Sequence, residues 1–183
     1  MIGYLAAAVV GYGLGAINPA VLIARARGVD LRSFGSGNPG ASNAGRALGR
    51  RTGVVVALLD VAKGAVPAAA FGYGDHRWGL LAGAAAVLGH ITSPILKGKG
   101  GKGVATAGGA VLGSHPLWLL LVLGTWLLVL AASRWIALAS MCAAAAVLVS
   151  ALVAGHDRWW AAFIAVVVLG RHTGNVLQRL RRS

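Results

Sequence analysis

The apolar positions of this chain neither alternate with polar ones nor recur with a helical face; they come in long unbroken blocks, the pattern of segments that lie in lipid. A bilayer core of about 30 Å takes about 20 residues of helix, and the blocks divide to that length at the charges. Residues 1–24 contain no Asp, Glu, Lys or Arg and predict a first span. Residues 53–74, which hold Asp60 and Lys63, predict a second, and 78–96, with His90 near the end, a third. The block 103–133 is too long for one crossing, and Ser114-His115-Pro116 marks a turn in it because proline restricts the residue before it. It divides into a short span, 103–114, and a full one, 117–133. Residues 135–155 and 159–177 complete the set, the last carrying Arg171 and His172 toward its far end. The chain therefore reads as all-α: a polytopic integral membrane protein of seven transmembrane helices, one membrane domain over 1–183.

Charge orients the helices. Fourteen of the 17 Lys and Arg fall on one face of this arrangement, Arg182 among them; only Arg77 and Arg158 fall on the other, and Lys63 lies within a span. The positive-inside rule then puts the N-terminus outside and the C-terminus in the cytoplasm. With 57% hydrophobic and 11% charged residues, the chain is neither disordered nor an ordinary soluble domain. A pI near 11.7 raises nucleic-acid binding, but the basic residues punctuate apolar blocks and form no basic helix or aromatic sheet motif. No nucleic-acid partner is expected; attraction to anionic membrane lipid is. The single cysteine, Cys142, lies in an apolar block, and the four acids are scattered, so no disulfide, metal site or cofactor is implied. The N-terminus is apolar at once, without a positive leader, so the first block is expected to stay in the membrane.

Most of the 28 glycines suit close helix packing, as in Gly11-Tyr12-Gly13-Leu14-Gly15. Three segments on the basic face differ: Phe34 to Arg46 within the 28-residue connector 25–52, Gly98 to Gly103, and Arg171 to Asn175. Glycine lets backbone N–H groups converge on an anion, which brings in Gly35, Gly37, Gly100, Gly101 and Gly103. Ser36, Asn38 and Asn43 add uncharged hydrogen-bonding groups, and Arg46 a planar fork for phosphate oxygens. Lys102 adds a compact charge close to a helix N-terminus. His172 and Asn175, spaced i, i+3, share a helix face. Together they predict a phosphate-binding site at the membrane surface; flexible connection would explain one such loop more readily than three on one face.

Gly35 to Gly40 and Gly98 to Gly103 both fit G-x-G-x-x-G, but that fingerprint requires a βαβ unit, and Asp60, the acid at the right distance from the first, falls in an apolar block. The second is no P-loop, since neither Ser nor Thr follows Lys102. Asp60 and Lys63 read as a pair packed inside the bundle. His76, His115 and His156 fall in short outer connections and read as solvated surface. His90 reads equally as a helix-end hydrogen-bonding residue or a catalytic one, and the Trp residues, such as Trp159 and Trp160, fit interfacial belts.

In order along the chain stand Gly11-Tyr-Gly-Leu-Gly15, Gly35-Ser-Gly-Asn-Pro-Gly-Ala-Ser-Asn43, Asp60-Val-Ala-Lys63-Gly64, Gly89-His90, Lys99-Gly-Gly-Lys-Gly-Val-Ala-Thr106 and His172-Thr-Gly-Asn175. Over nearly its whole length the chain thereby resembles the bacterial membrane glycerol-3-phosphate acyltransferases of the acyl-phosphate-dependent type. The resemblance implies a seven-span fold in the bacterial cell membrane with its active site on the cytoplasmic side. It also implies transfer of a fatty acyl group from acyl phosphate to the 1-hydroxyl of sn-glycerol 3-phosphate, giving lysophosphatidate and phosphate, the first acylation of phospholipid synthesis. By motif it maps catalytic roles onto Ser36, Arg46, Lys102, His172 and Asn175, and further phosphate contacts onto Asn38 and Lys99. Two departures are local: Ile91-Thr-Ser-Pro-Ile-Leu-Lys-Gly98 replaces the usual Phe-Pro pair and aromatics, and Ser42 stands where threonine is common.

An acyl phosphate carries its own leaving group, so direct attack by the glycerol hydroxyl suffices. No Asp lies five residues after any of the five histidines, so the base-bearing H-x-x-x-x-D motif of other glycerophosphate acyltransferases is missing. The alternative class is a membrane transporter of phosphate or a phosphorylated metabolite, against which stand the lack of an internal repeat and the clustering of polar groups on one face. A non-catalytic lipid-interacting bundle would leave the ordered Ser, Asn, Lys and His positions without a purpose.

Overall fold

The computed structural model describes residues 1–181, so Arg182, counted above with the cytoplasmic charges, lies outside the described residues. The described residues form helices and no strands, in two compact units, one Met1–Ser114 and the other from His115 onward. The first unit contains α1 (Ile2–Ala16), α2 (Pro19–Ala26), α3 (Ala41–Leu48), α4 (Arg50–Gly74), α5 (His76–Thr92), a single 3-10 turn (Pro94–Leu96) and α6 (Val104–Ser114). The second contains α7 (Trp118–Ser133), α8 (Ile136–Ala154), α9 (Arg158–Gly170) and α10 (Thr173–Leu180). Among the described residues five stretches are long and apolar enough to cross a membrane: Ile2–Ala26, Arg50–Gly74, His76–Leu96, Ile136–Ala154 and Arg158–Leu180. The shorter apolar helices are α6 and α7.

The first and last of the five are interrupted, which the hydropathy of the blocks does not reveal. At the first break Asn18 caps α2, its Oδ1 accepting the Val21 N–H at 2.9 Å, while Pro19 opens the helix where no donor is needed. The end of α1 leaves carbonyls without helical partners, and in lipid each such group costs several kcal/mol. The Ser93 hydroxyl donates to the Ala16 carbonyl at 2.6 Å and the Lys63 ammonium to that of Ile17 at 2.7 Å. Lys63 also pairs with Asp60 at 3.0 Å, the packed i, i+3 pair expected, and Asp60 Oδ1 lies 3.5 Å from His90 Nδ1. These polar groups inside apolar blocks thus serve the break.

Burial is reversed relative to a water-soluble protein. Ala7, Ala82, Ala86, Ala110, Ala139 and Ala161 are wholly buried, whereas Leu58, Leu120, Leu128 and Val153 face outward. Small residues bring backbones together where lipid gives no hydrophobic drive. Gly11 and Gly15 of α1 lie over the carbonyls of Ala82 and Ala86 of α5; Gly64 of α4 lies over the Thr106 carbonyl and Gly109 of α6 over that of Val61. A methyl group at any of these would run into backbone.

The stretch 25–52, expected as a connector, folds. It contains α3 and closes a small core of Ala20, Ala24, Leu31, Ala44 and Val56 against α2 and α4. In the second unit His115 departs from its expected solvated position: it is buried, stacks on Trp118 with ring centroids 3.8 Å apart, and its Nε2 lies 2.8 Å from Asp157 Oδ2. The same oxygen takes His156 Nδ1 at 2.8 Å. His76 and His156 are exposed as expected. Trp159 is exposed but Trp160 is buried, so only Trp159 of that pair suits a lipid interface.

Candidate active site

The Phe34 to Arg46 segment is a turn built around one side chain. Asn43, in the first turn of α3, is 1% exposed. Its Nδ2 donates to the carbonyls of Leu31 (2.9 Å) and Phe34 (3.0 Å), and its Oδ1 accepts the Ser36 N–H at 3.1 Å. A single amide therefore fastens three points of the turn and leaves Ser36 exposed. Gly35 has φ +55°, and a Cβ there would lie 2.6 Å from Asn43 Oδ1, so both conformation and space require glycine. Asn43 was expected as a phosphate contact; its amide is instead turned into the fold, where it positions Ser36. Asn38 is half-buried with its N–H toward Ser36 Oγ at 3.5 Å, and Arg46 is exposed in the last turn of α3.

The second glycine segment works by a different rule. Successive amides close the end of α5 and its 3-10 turn: Gly98 N–H donates to Ser93 O (3.0 Å), Lys99 to Leu96 O (3.0 Å), Gly100 to Ile91 O (2.9 Å) and Gly101 to His90 O (3.1 Å). A Cβ at Gly100 would strike the His90 carbonyl, and one at Gly101 the His90 imidazole. The expected convergence of the Gly100 and Gly101 amides on an anion is thus replaced by capping, because helix carbonyls at a buried end must be satisfied. Charge at this loop comes from Lys99, exposed, and Lys102, half-buried just ahead of α6. The atypical stretch 91–98 fits the same design, since Ser93 both ties to Ala16 and precedes the proline that opens the 3-10 turn.

The two segments are joined by Arg32, whose Nη2 donates to the carbonyls of Leu96 and Lys99, each at 3.2 Å. Asn18 fixes the first from the other side, its Nδ2 donating to Pro39 O at 2.9 Å. Sequence reasoning passed over Asn18, Arg32 and Ser93. Asn18-Pro19 inside an uncharged block was a legible cap signal; Arg32 read as one charge among many.

In the second unit His172 lies between α9 and α10 and is 2% exposed, with Asn175 half-buried in the first turn of α10. His172 Nδ1 lies 2.8 Å from the Val168 carbonyl. A carbonyl only accepts, so Nδ1 carries the hydrogen of this bond. The His172 carbonyl accepts the Asn175 N–H at 2.9 Å, which places His172 at the N-cap of α10 and not within a continuous helix with Asn175.

The family described as glycerol-3-phosphate acyltransferase matches residues 5–182. A glycerol-3-phosphate acyltransferase of Geobacter sulfurreducens is 42% identical over 191 aligned positions, covering 100% of this chain and 96% of the relative. One from Aquifex aeolicus is 40% identical, covering 90% and 89%. Among solved structures, the glycerol 3-phosphate form of PlsY (YgiH), an integral membrane glycerol 3-phosphate acyltransferase, superposes with a TM-score of 0.91 at 37% identity, over 97% of this chain and 92% of that one. Its lysophosphatidic acid form gives 0.89 at 36% identity, with the same coverage. With a serine turn and a lysine loop joined in the first unit and a match over nearly its whole length, this chain belongs to the glycerol-3-phosphate acyltransferase family.

Proposed function

We propose that this chain transfers a fatty acyl group from acyl phosphate to the 1-hydroxyl of sn-glycerol 3-phosphate, releasing lysophosphatidate and inorganic phosphate. The observation that carries the reading is the family match over residues 5–182. The outward Ser36 on a turn pinned from within supports it.

The hydroxyl oxygen attacks the acyl carbonyl carbon, the bond from that carbon to the phosphate oxygen breaks, and phosphate leaves with the electron pair. The hydroxyl proton passes to phosphate, either the substrate's own or the departing one. No covalent intermediate on the chain is needed. Arg46 and Lys102 hold phosphate and stabilise developing charge, with Asn38 and Lys99 as further contacts; a well-placed donor contributes about 3 kcal/mol. Ser36 orients the reacting groups by hydrogen bonding. Gly35, Gly37 and Asn43 shape its turn, and Gly100, Gly101 and Gly103 seat the lysine loop. His172 and Asn175 enter on the strength of their motif, with the His172 ring oriented by its Nδ1–H bond to Val168.

The proposal includes seven crossings, the N-terminus outside, the C-terminus cytoplasmic and the site on the cytoplasmic side of a bacterial cell membrane. Five long apolar stretches, two shorter ones and the one-sided basic residues support it. With 11 residues, about 16 Å of helix, α6 is half a core thickness. The preceding loop, with Gly100, Gly101 and Gly103 buried in protein, completes that crossing in a way lipid-exposed backbone could not.

The test is product formation by the purified protein given acyl phosphate and labelled glycerol 3-phosphate, with acyl-CoA and acyl carrier protein as alternative donors. Lysophosphatidate from acyl phosphate alone is expected. Product only from another donor overturns the donor assignment, and none from any donor by folded protein overturns the reaction.

A further inference from the structure

Four of the six residues that line one cavity in the first unit are cations. Its volume is about 240 Å³, and Arg25, Arg32, Ile95, Leu96, Lys97 and Lys99 bound it. Arg25 stands in the last turn of α2, Arg32 is clamped on the carbonyls of Leu96 and Lys99, and Lys97 sits in a left-handed turn (φ +53°) directly after the 3-10 turn. Separate segments thus bring like charges to one hollow. Among the described residues none of the four pairs with a carboxylate, and the nearby Asp30 side chain accepts the Arg32 backbone N–H at 2.9 Å. Positive-inside topology accounts for basic residues on this side of the chain, but not for their convergence. All four are exposed, and like charges gathered in a concave site raise the local potential and draw counter-ions, the more so at low ionic strength.

We propose that this cavity is a phosphate-anion site, distinct from Ser36, Arg46 and Lys102 and touching the lysine loop through Lys99. Two guanidinium groups offer planar forks to phosphate oxygens and two ammonium groups offer point charges. The ligand is a phosphate group from one of two sources: a lipid headgroup whose tail runs along the exposed Ile95, or inorganic phosphate. An occupant binds the loop at 97–99 to α2 and Arg32, so it stabilises the chain by mass action.

The inference goes beyond acyl transfer and is read by binding, so it stands or falls separately. The melting temperature of the full chain in phosphatidylcholine discs is followed against inorganic phosphate at fixed ionic strength, and in discs doped with phosphatidylglycerol. At least one probe raises it, and in Arg25→Gln/Lys97→Gln the amount needed rises about tenfold. A response to phosphate alone marks free phosphate as the source; one to phosphatidylglycerol alone marks a headgroup. Equal responses in wild type and variant overturn the site, because phosphate held at Ser36, Arg46 and Lys102 is indifferent to Arg25 and Lys97. Silence of both probes in wild type overturns it too. Should the double variant not fold, Lys97→Gln, an exposed single change, carries the same comparison.

Discussion

Gly35 to Gly40 and Gly98 to Gly103 have the same glycine spacing and opposite constructions. The first turn is filled from inside by the Asn43 amide, which takes the Ser36 N–H and leaves the serine side chain facing out. The second is filled by its own backbone, four successive amides from Gly98 to Gly101 closing the end of α5. Glycine spacing alone therefore does not tell which groups remain for a ligand. What decides it is the partner each amide already has, and at a buried helix end the waiting carbonyls claim the amides first.

The largest expected effect follows from assigning the chemistry to one side chain on each loop, Ser36 and Lys102. Ser36→Ala and Lys102→Ala should each lower kcat/KM for lysophosphatidate formation by about 10²–10³, the loss of one well-placed transition-state donor. The melting temperature in detergent should hardly move. Near-normal turnover in either variant removes that residue from the site. Next comes the peg of the first loop: Asn43→Leu strips one buried and two partly buried hydrogen bonds from the backbone and should cost about 3 kcal/mol of stability, with activity falling alongside. A variant of unchanged melting temperature with a raised KM for glycerol 3-phosphate would instead make Asn43 a substrate contact and erase the contrast between the loops.

The helical, membrane-embedded character of the chain was legible because the blocks of apolar residues reach bilayer length and the basic residues gather between them. The interruptions were not, since hydropathy averages over Asn18-Pro19 and over Arg171-His172 without registering a lost hydrogen bond. Lys63 and Ser93 were visible as polar residues in apolar blocks, but their purpose depends on carbonyls 46 and 77 positions away, and no local pattern encodes that. At the candidate site, motif spacing picked out Ser36, Arg46 and Lys102, and the fold separated side chains that face outward from those, such as Asn43, that hold the loop. His115 misled for a similar reason: a histidine before a proline reads as surface, and only the Trp118 ring and the Asp157 carboxylate bury it.

The smallest effects come from the second loop, where two glycines three positions apart, Gly98 and Gly101, obey different constraints. Gly101→Ala pushes a methyl group into the His90 ring, which is itself held near Asp60, so the neighbour has little room to give. The expected cost is about 2 kcal/mol, as for overpacking elsewhere, together with a displaced lysine loop and lower turnover. Gly98 has φ +76° but nothing within 4 Å of an added Cβ. Gly98→Ala therefore meets only the left-handed penalty of about 1 kcal/mol and should retain turnover, and Gly98→Asn should recover part of the loss because asparagine tolerates that conformation. Melting curves of the variants, read beside their activities, test the capping account directly. If Gly98→Ala proves as damaging as Gly101→Ala, open space at residue 98 is needed for a ligand, and the backbone of the second loop must be counted with the side chains as part of the site.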